Sequence, residues 1–254
     1  MERKNMMKKK LMDHELCVIT GASSGIARGI AERFLEEGAD LIVADYDVET
    51  AEKIYGNNPQ VVAVLKVDAT RIEDLEKIAE AVRETGRKVK AVLPIVGNGP
   101  VNMIPDVTPE EFHLTMDLNV FSAFFTVQKV LPYMSEKSAV VLISSIAGFQ
   151  GGSNNIVYNA AKAAVRSMAR SFAGELACKG IRANAISPGP TETKGFTEFI
   201  NENDDARNGI IANIPLGHIG QPEEIAAIAL FLASDEASYV TGAEVIADGG
   251  FTNR

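Results

Sequence analysis

The sequence predicts an α/β fold, a doubly wound parallel sheet of seven strands with helices on both faces, and three observations predict it. Short β-rich runs alternate strictly with longer segments of helical period, the pattern that right-handed crossovers between parallel strands produce. Runs such as Ala139-Val140-Val141-Leu142-Ile143 are apolar throughout, as strands covered on both faces are. No internal repeat, low-complexity block or Pro/Ser-rich linker divides the 254 residues, so one domain is expected.

The elements follow in order. A strand over 16–20 runs into the small-residue turn Thr20-Gly21-Ala22-Ser23-Ser24-Gly25, and an amphipathic helix occupies 26–37. The strand over 41–44 ends at Asp45, before a helix over 48–55. Strand 61–67 leads to helix 72–85. In the next strand, 89–93, Pro94 follows at once within an apolar run; proline donates no ladder hydrogen bond, so the strand is expected to stop near Leu93 or to carry a bulge. One long helix is expected over 109–134, then strand 139–144 ending beside Ser145, helix 157–179 and strand 181–187. The irregular stretch 188–215 exceeds the usual length of a connection in a compact domain, and its mixture of apolar and charged residues suits an active-site lid over about 190–215. Helix 222–232 and strand 244–247 complete the pattern.

Composition narrows the function. The net charge is −9, the wrong sign for nucleic acid or an anionic membrane, and no apolar stretch is long enough to span a bilayer. The basic start, with Arg3, Lys4, Lys8, Lys9 and Lys10, lacks the apolar core of a secretory signal; residues 1–13 are expected to form a flexible tail and 14–254 the single domain. Cys17 and Cys178 give neither a disulfide framework nor a metal spacing, so a reducing cytoplasm is expected, with both thiols buried as packing groups. His14, His113 and His218 are scattered without ligand spacing, and no metal is expected.

The chemistry lies in three motifs. Tyr158 and Lys162 stand four residues apart, thirteen and seventeen residues beyond Ser145. On a helix this spacing puts phenol and ammonium on one face, and a cation there favours phenolate, so the Tyr158 pKa is expected to fall from about 10 toward the working pH. Ser145, at the carboxyl end of its strand, faces the crevice where open α/β sheets bind ligands. The turn through Gly21 and Gly25 lets the backbone approach a pyrophosphate at a helix amino terminus.

Together with Asn119 in Asp117-Leu118-Asn119-Val120, the run Asn184-Ala185-Ile186-Ser187-Pro188-Gly189 and the C-terminal Asp248-Gly249-Gly250, these motifs make the chain resemble the short-chain dehydrogenase/reductase family over roughly residues 14 to 251. The resemblance implies a Rossmann-type three-layer sandwich, hydride transfer between a nicotinamide dinucleotide and an alcohol or ketone, and Ser145, Tyr158, Lys162 and Asn119 as the catalytic set. It assigns Gly21, Ser23, Ser24, Gly25 and Ile26 to the cofactor, with Asp45, Asp68, Ala69, Tyr158, Lys162, Pro188 and Thr193. Asp68 either accepts from the adenine amino group, as the resemblance implies, or caps the helix starting near Ile72. Asp45 can accept from both adenosine ribose hydroxyls and repels a 2′-phosphate, which points to NAD over NADP. Phe149, Gln150 and Phe196 are expected to line the pocket of an uncharged, partly apolar alcohol or ketone. Packing through helix 157–179 implies a homotetramer or homodimer. An NADP-dependent 3-oxoacyl-carrier-protein reductase and a non-catalytic dinucleotide sensor are the competing readings.

One stretch departs from the family. Val96-Gly97-Asn98-Gly99 replaces its Asn-Asn-Ala-Gly. The change is expected to bear on the wall against the adenine and on local sheet geometry, and to leave the catalytic residues alone.

Overall fold

The computed structural model describes residues 10–200 and 203–253; residues 1–9 of the expected tail lie outside the described residues. Seven parallel strands are ordered β3-β2-β1-β4-β5-β6-β7. The chain starts in the middle with β1 (Leu16–Thr20), moves outward through α1 (Gly25–Glu36), β2 (Asp40–Asp45), α2 (Val48–Tyr55) and β3 (Val61–Lys66), and returns over α3 (Ile72–Thr85) to β4 (Val89–Pro94) on the other side of β1. Order reverses between β1 and β4, and a crevice opens at the carboxyl ends of strands at such a point.

Alternate side chains of each strand feed two cores. Cys17, Ile19, Leu41 and Val43 pack with Ile30 and Phe34 of α1. Leu16, Val18, Ile42 and Ala44 pack on the other face with Leu75 and Ile78 of α3. The period of two along the strands therefore serves both layers.

β4 stops at Pro94, one residue beyond Leu93 and near the expected end. Pro94 pairs with Thr20, and pairing with β5 stops at Val92, so the missing N–H falls beyond that ladder. The irregularity lies at the other end of the strand, where the register shifts between Val89 and Ala91 against both neighbours.

The expected helix over 109–134 is several pieces. α4 (Pro109–Met116) starts at a capping box between Thr108 and Glu111, a π-helical turn spans Asp117–Phe121, and α5 (Ser122–Val130) gives way to a 3₁₀ turn at Leu131–Tyr133. β5 (Met134–Ile143) begins five residues earlier than its apolar run. Beyond it come α6 (Ala147–Gln150), α7 (Ile156–Leu176) and β6 (Arg182–Pro188). The lid stretch contains α8 (Lys194–Ile200) and α9 (Asp204–Ile211), followed by α10 (Pro222–Ala233) and β7 (Glu244–Ala247).

Two smaller expectations are corrected. Residues 10–13 belong to the fold: Met12 is fully buried and its N–H donates to the Glu37 carbonyl at 3.0 Å. Cys17 is buried, and that burial pushes its thiol up, but Cys178 is exposed.

Candidate active site

A cleft of about 830 Å³ opens at the carboxyl ends of the strands around the point of reversal. Every residue expected to hold the cofactor lines it, from Gly21 to Thr193, as do Ser145 and Phe196.

At the end expected to take adenosine, backbone amides and carboxylates hold each other. The buried Asp45 accepts from Ser23 N–H at 2.8 Å and from Asp47 N–H at 2.9 Å, one on each oxygen. The carboxylate thus ties the glycine turn to the end of β2, and its oxygens keep further acceptor capacity. The Tyr55 hydroxyl donates to the Ala22 carbonyl at 2.8 Å, so α2 buttresses the same turn. Asp68 accepts from Thr70 N–H and hydroxyl at 3.0 and 2.6 Å. The N-cap of α3 is Arg71, without a side-chain cap, so Asp68 does not cap that helix.

The catalytic end is built differently. β5 stops at Ile143, and α7 lies across its end, so Tyr158 and Lys162 face the cleft one turn apart. Lys162 is 4% exposed; its ammonium donates to the Ile143 carbonyl at 3.0 Å and lies 5.5 Å from the centre of the Tyr158 ring. Burial brings its pKa down to about 8. The expected fall in the Tyr158 pKa is overturned. Burial pushes the phenol above its ordinary value, and the hydrogen-bonding influence of the Ser145 side chain only partly opposes it. Desolvation of the charged form is the larger influence on the phenol.

The departing stretch is part of this end, contrary to expectation. A Cβ on Gly97 would lie 2.5 Å from Asn119 Oδ1 and 2.8 Å from Lys162 Nζ, and one on Gly99 would lie 2.6 Å from Tyr158 Cβ. The backbone passes so close to three catalytic candidates that only glycine fits. Asn98 contributes through its carbonyl, which accepts from Asn119 Nδ2 at 2.6 Å while Thr115 O accepts from the same group at 2.8 Å. Asn119 sits in the π-helical turn, 1% exposed, and its Oδ1 accepts no hydrogen bond from the described residues. This orphaned acceptor and the Lys162 ammonium both lie close against Gly97.

The family model described as "Enoyl-(Acyl carrier protein) reductase" matches residues 21–252. The 3-oxoacyl-[acyl-carrier-protein] reductase FabG of Thermotoga maritima is 34% identical over 244 residues, which cover 94% of this chain and 98% of that protein. A solved structure from Brucella melitensis, a short-chain dehydrogenase/reductase described as a glucose/ribitol dehydrogenase, superposes with a TM-score of 0.91 at 32% identity, covering 96% of this chain and 99% of its own. The chain belongs to the short-chain dehydrogenase/reductase family.

Membership does not settle the cofactor, since an NADP-dependent (R)-specific alcohol dehydrogenase of Lentilactobacillus kefiri is 32% identical over 94% of this chain and 96% of its own. As a short-chain dehydrogenase/reductase the protein is an oxidoreductase, and its seven-stranded sheet is that of its relatives. Among the described residues no helix is long and apolar enough to cross a membrane. Of the three expected substrate-pocket residues only Phe196 lines the cleft. Gln150 is exposed, and the Phe149 ring lies 5.3 Å from the guanidinium carbon of Arg166 on α7. Sequence reasoning passed over Gly97, whose signal was the departure itself, Gly99, and Lys194, a cleft residue whose charge in the lid was the available clue.

Proposed function

We propose that the protein is an NAD-dependent dehydrogenase/reductase that moves a hydride reversibly between NAD(H) and a secondary alcohol or ketone. The observation that carries this reading is the convergence of Asn119 and Lys162 on Gly97 and of Tyr158 on Gly99, with the Ser145 side chain within hydrogen-bonding reach of Tyr158. NAD supplies the hydride acceptor or donor when bound. Tyr158 gives its hydroxyl proton to the substrate oxygen in reduction and takes it back in oxidation. Ser145 donates a hydrogen bond to the same oxygen and fixes its place, so charge developing there meets a donor already in position. Lys162 holds nicotinamide ribose hydroxyls, and Asn119, through Oδ1, orients a hydroxyl-bearing group next to the ammonium. Leu114, Leu118 and Phe196 in the cleft wall suit an uncharged, partly apolar substrate. The exposed Phe112, Leu114 and Phe124 on α4 and α5 support assembly into a homo-oligomer, which sedimentation measures.

Asp45 supports NAD because its carboxylate stands at the end of β2, with Asp47 two residues on. The likeness to a 3-oxoacyl-carrier-protein reductase keeps a second reading in play, NADP-dependent reduction of a carrier-bound 3-oxoacyl group. Titration with NADH and NADPH separates the two. NADH is expected to bind at least about tenfold more tightly; tighter NADPH binding reverses the assignment. A screen of NAD⁺ reduction over sugars, polyols, diols, steroid alcohols and hydroxyacyl thioesters then names the substrate, and no turnover of any alcohol or ketone class would sink the enzymatic reading.

A further inference from the structure

We infer that Lys194, on the lid, binds the phosphates of the dinucleotide, an assignment that rests on the dinucleotide-binding reading above. Among the described residues, four charged side chains line the cleft: Asp45, Asp68, Lys162 and Lys194. The two carboxylates belong to the adenosine end, and Lys162 is buried at the catalytic end with its ammonium on the Ile143 carbonyl. A dinucleotide carries about one negative charge on each of its two phosphates, between those ends. Lys194 is the one lining cation left to meet them.

Its position agrees with its charge. Thr193, the residue before it, packs on the glycine turn: a Cβ on Gly25 would come 3.3 Å from Thr193 Cγ2. Gly25 opens α1, so the lid chain passes directly over the helix end whose free amides attract an anion. The Lys194 side chain is 83% exposed and its ion pair is a loose one, 3.8 Å to Glu198 one turn on; it is free to turn onto a ligand. The Asp47 carboxylate is held below its ordinary value first by the Thr50 hydroxyl and amide, and the Lys194 charge adds to that effect. Phosphate is thus gripped from two sides, by turn amides below and a lid ammonium above, and the second grip is charge-assisted.

The test uses the full chain with Lys194→Met and Lys194→Arg, titrated with NADH, NADPH and ADP-ribose at low and physiological salt. Lys194→Met is expected to raise the Kd of NADH and ADP-ribose alike, by about three- to tenfold, and to flatten the dependence on salt, because a screened contact is gone. Lys194→Arg restores most of both. Unchanged Kd values overturn the inference. So does a loss confined to NADPH, which assigns the lysine to a 2′-phosphate, or a change confined to the substrate KM, which assigns it to the substrate. Failure of the unsubstituted protein to bind any dinucleotide strikes the functional reading itself, before the lysine is in question.

Discussion

The two ends of the cleft are built on opposite principles. At the adenosine end, carboxylate and amide satisfy each other: Asp45 holds two backbone N–H groups and Asp68 holds the Thr70 amide and hydroxyl. At the catalytic end, polar atoms are buried with fewer partners than they can take, an ammonium on one carbonyl and an amide oxygen on none of the described residues. A satisfied network is rigid and positions a ligand.

The sharpest way to break this contrast is Tyr158→Phe. Turnover is expected to fall at least about a hundredfold while the Kd of NADH stays within about twofold; rapid-mixing kinetics and titration check the two halves separately. Gly97→Ala should come next. Its methyl group would press on Asn119 and Lys162, and a loss of activity of about tenfold or more is expected, with a stability cost of about 1–3 kcal/mol from overpacking, read from urea unfolding. Asp45→Asn attacks the other end. It should weaken NADH binding several-fold, up to about tenfold, and narrow the margin over NADPH, with kcat at saturating cofactor nearly intact.

The smallest effect is on stability against pH, and its sign follows from Lys162. The folded chain binds this proton less tightly than the unfolded chain, with a pKa of about 8 against 10.5. Between those values the unfolded state holds more protons, so stability rises with pH across that window and the penalty of the buried charge is fully present below it. The gain from pH 7 to pH 9.5 is on the order of 1–2 kcal/mol. Lys162→Met should abolish it, as denaturant midpoints of the two proteins at both pH values will show. Tyr158, with its pKa raised, acts in the opposite sense above about pH 10. In kinetics the same shift makes the phenolate scarce at neutral pH, so alcohol oxidation should rise with pH where ketone reduction does not.

The sequence disclosed most of the frame, because seven short apolar runs are a local signal, as is the i,i+4 pairing of Tyr158 with Lys162. It disclosed less where distance along the chain intervenes. The π-helical turn at Asp117–Phe121 adds one residue to a helical period that otherwise continues, and hydrophobic spacing does not register it. The role of Gly97 needs the positions of Asn119 and Lys162, more than twenty residues away. Desolvation of Tyr158 is a property of the assembled wall, invisible in a motif that displays only the neighbouring cation. Phe149 and Gln150 lie outside the cleft lining, with the Phe149 ring against Arg166 of α7, a contact that the local motif does not display.

The widened turn before α5 has one more consequence. A regular helix advances about 100° per residue, and the wider turn over residues 117–121 winds more slowly, so it takes up one extra amino acid while the helix on either side keeps its phase. Asn119 lies on that extra length, where its amide reaches Asn98 and Thr115 while α5 keeps its seat against α3. The surplus residue sets a tool into a scaffold without turning the scaffold.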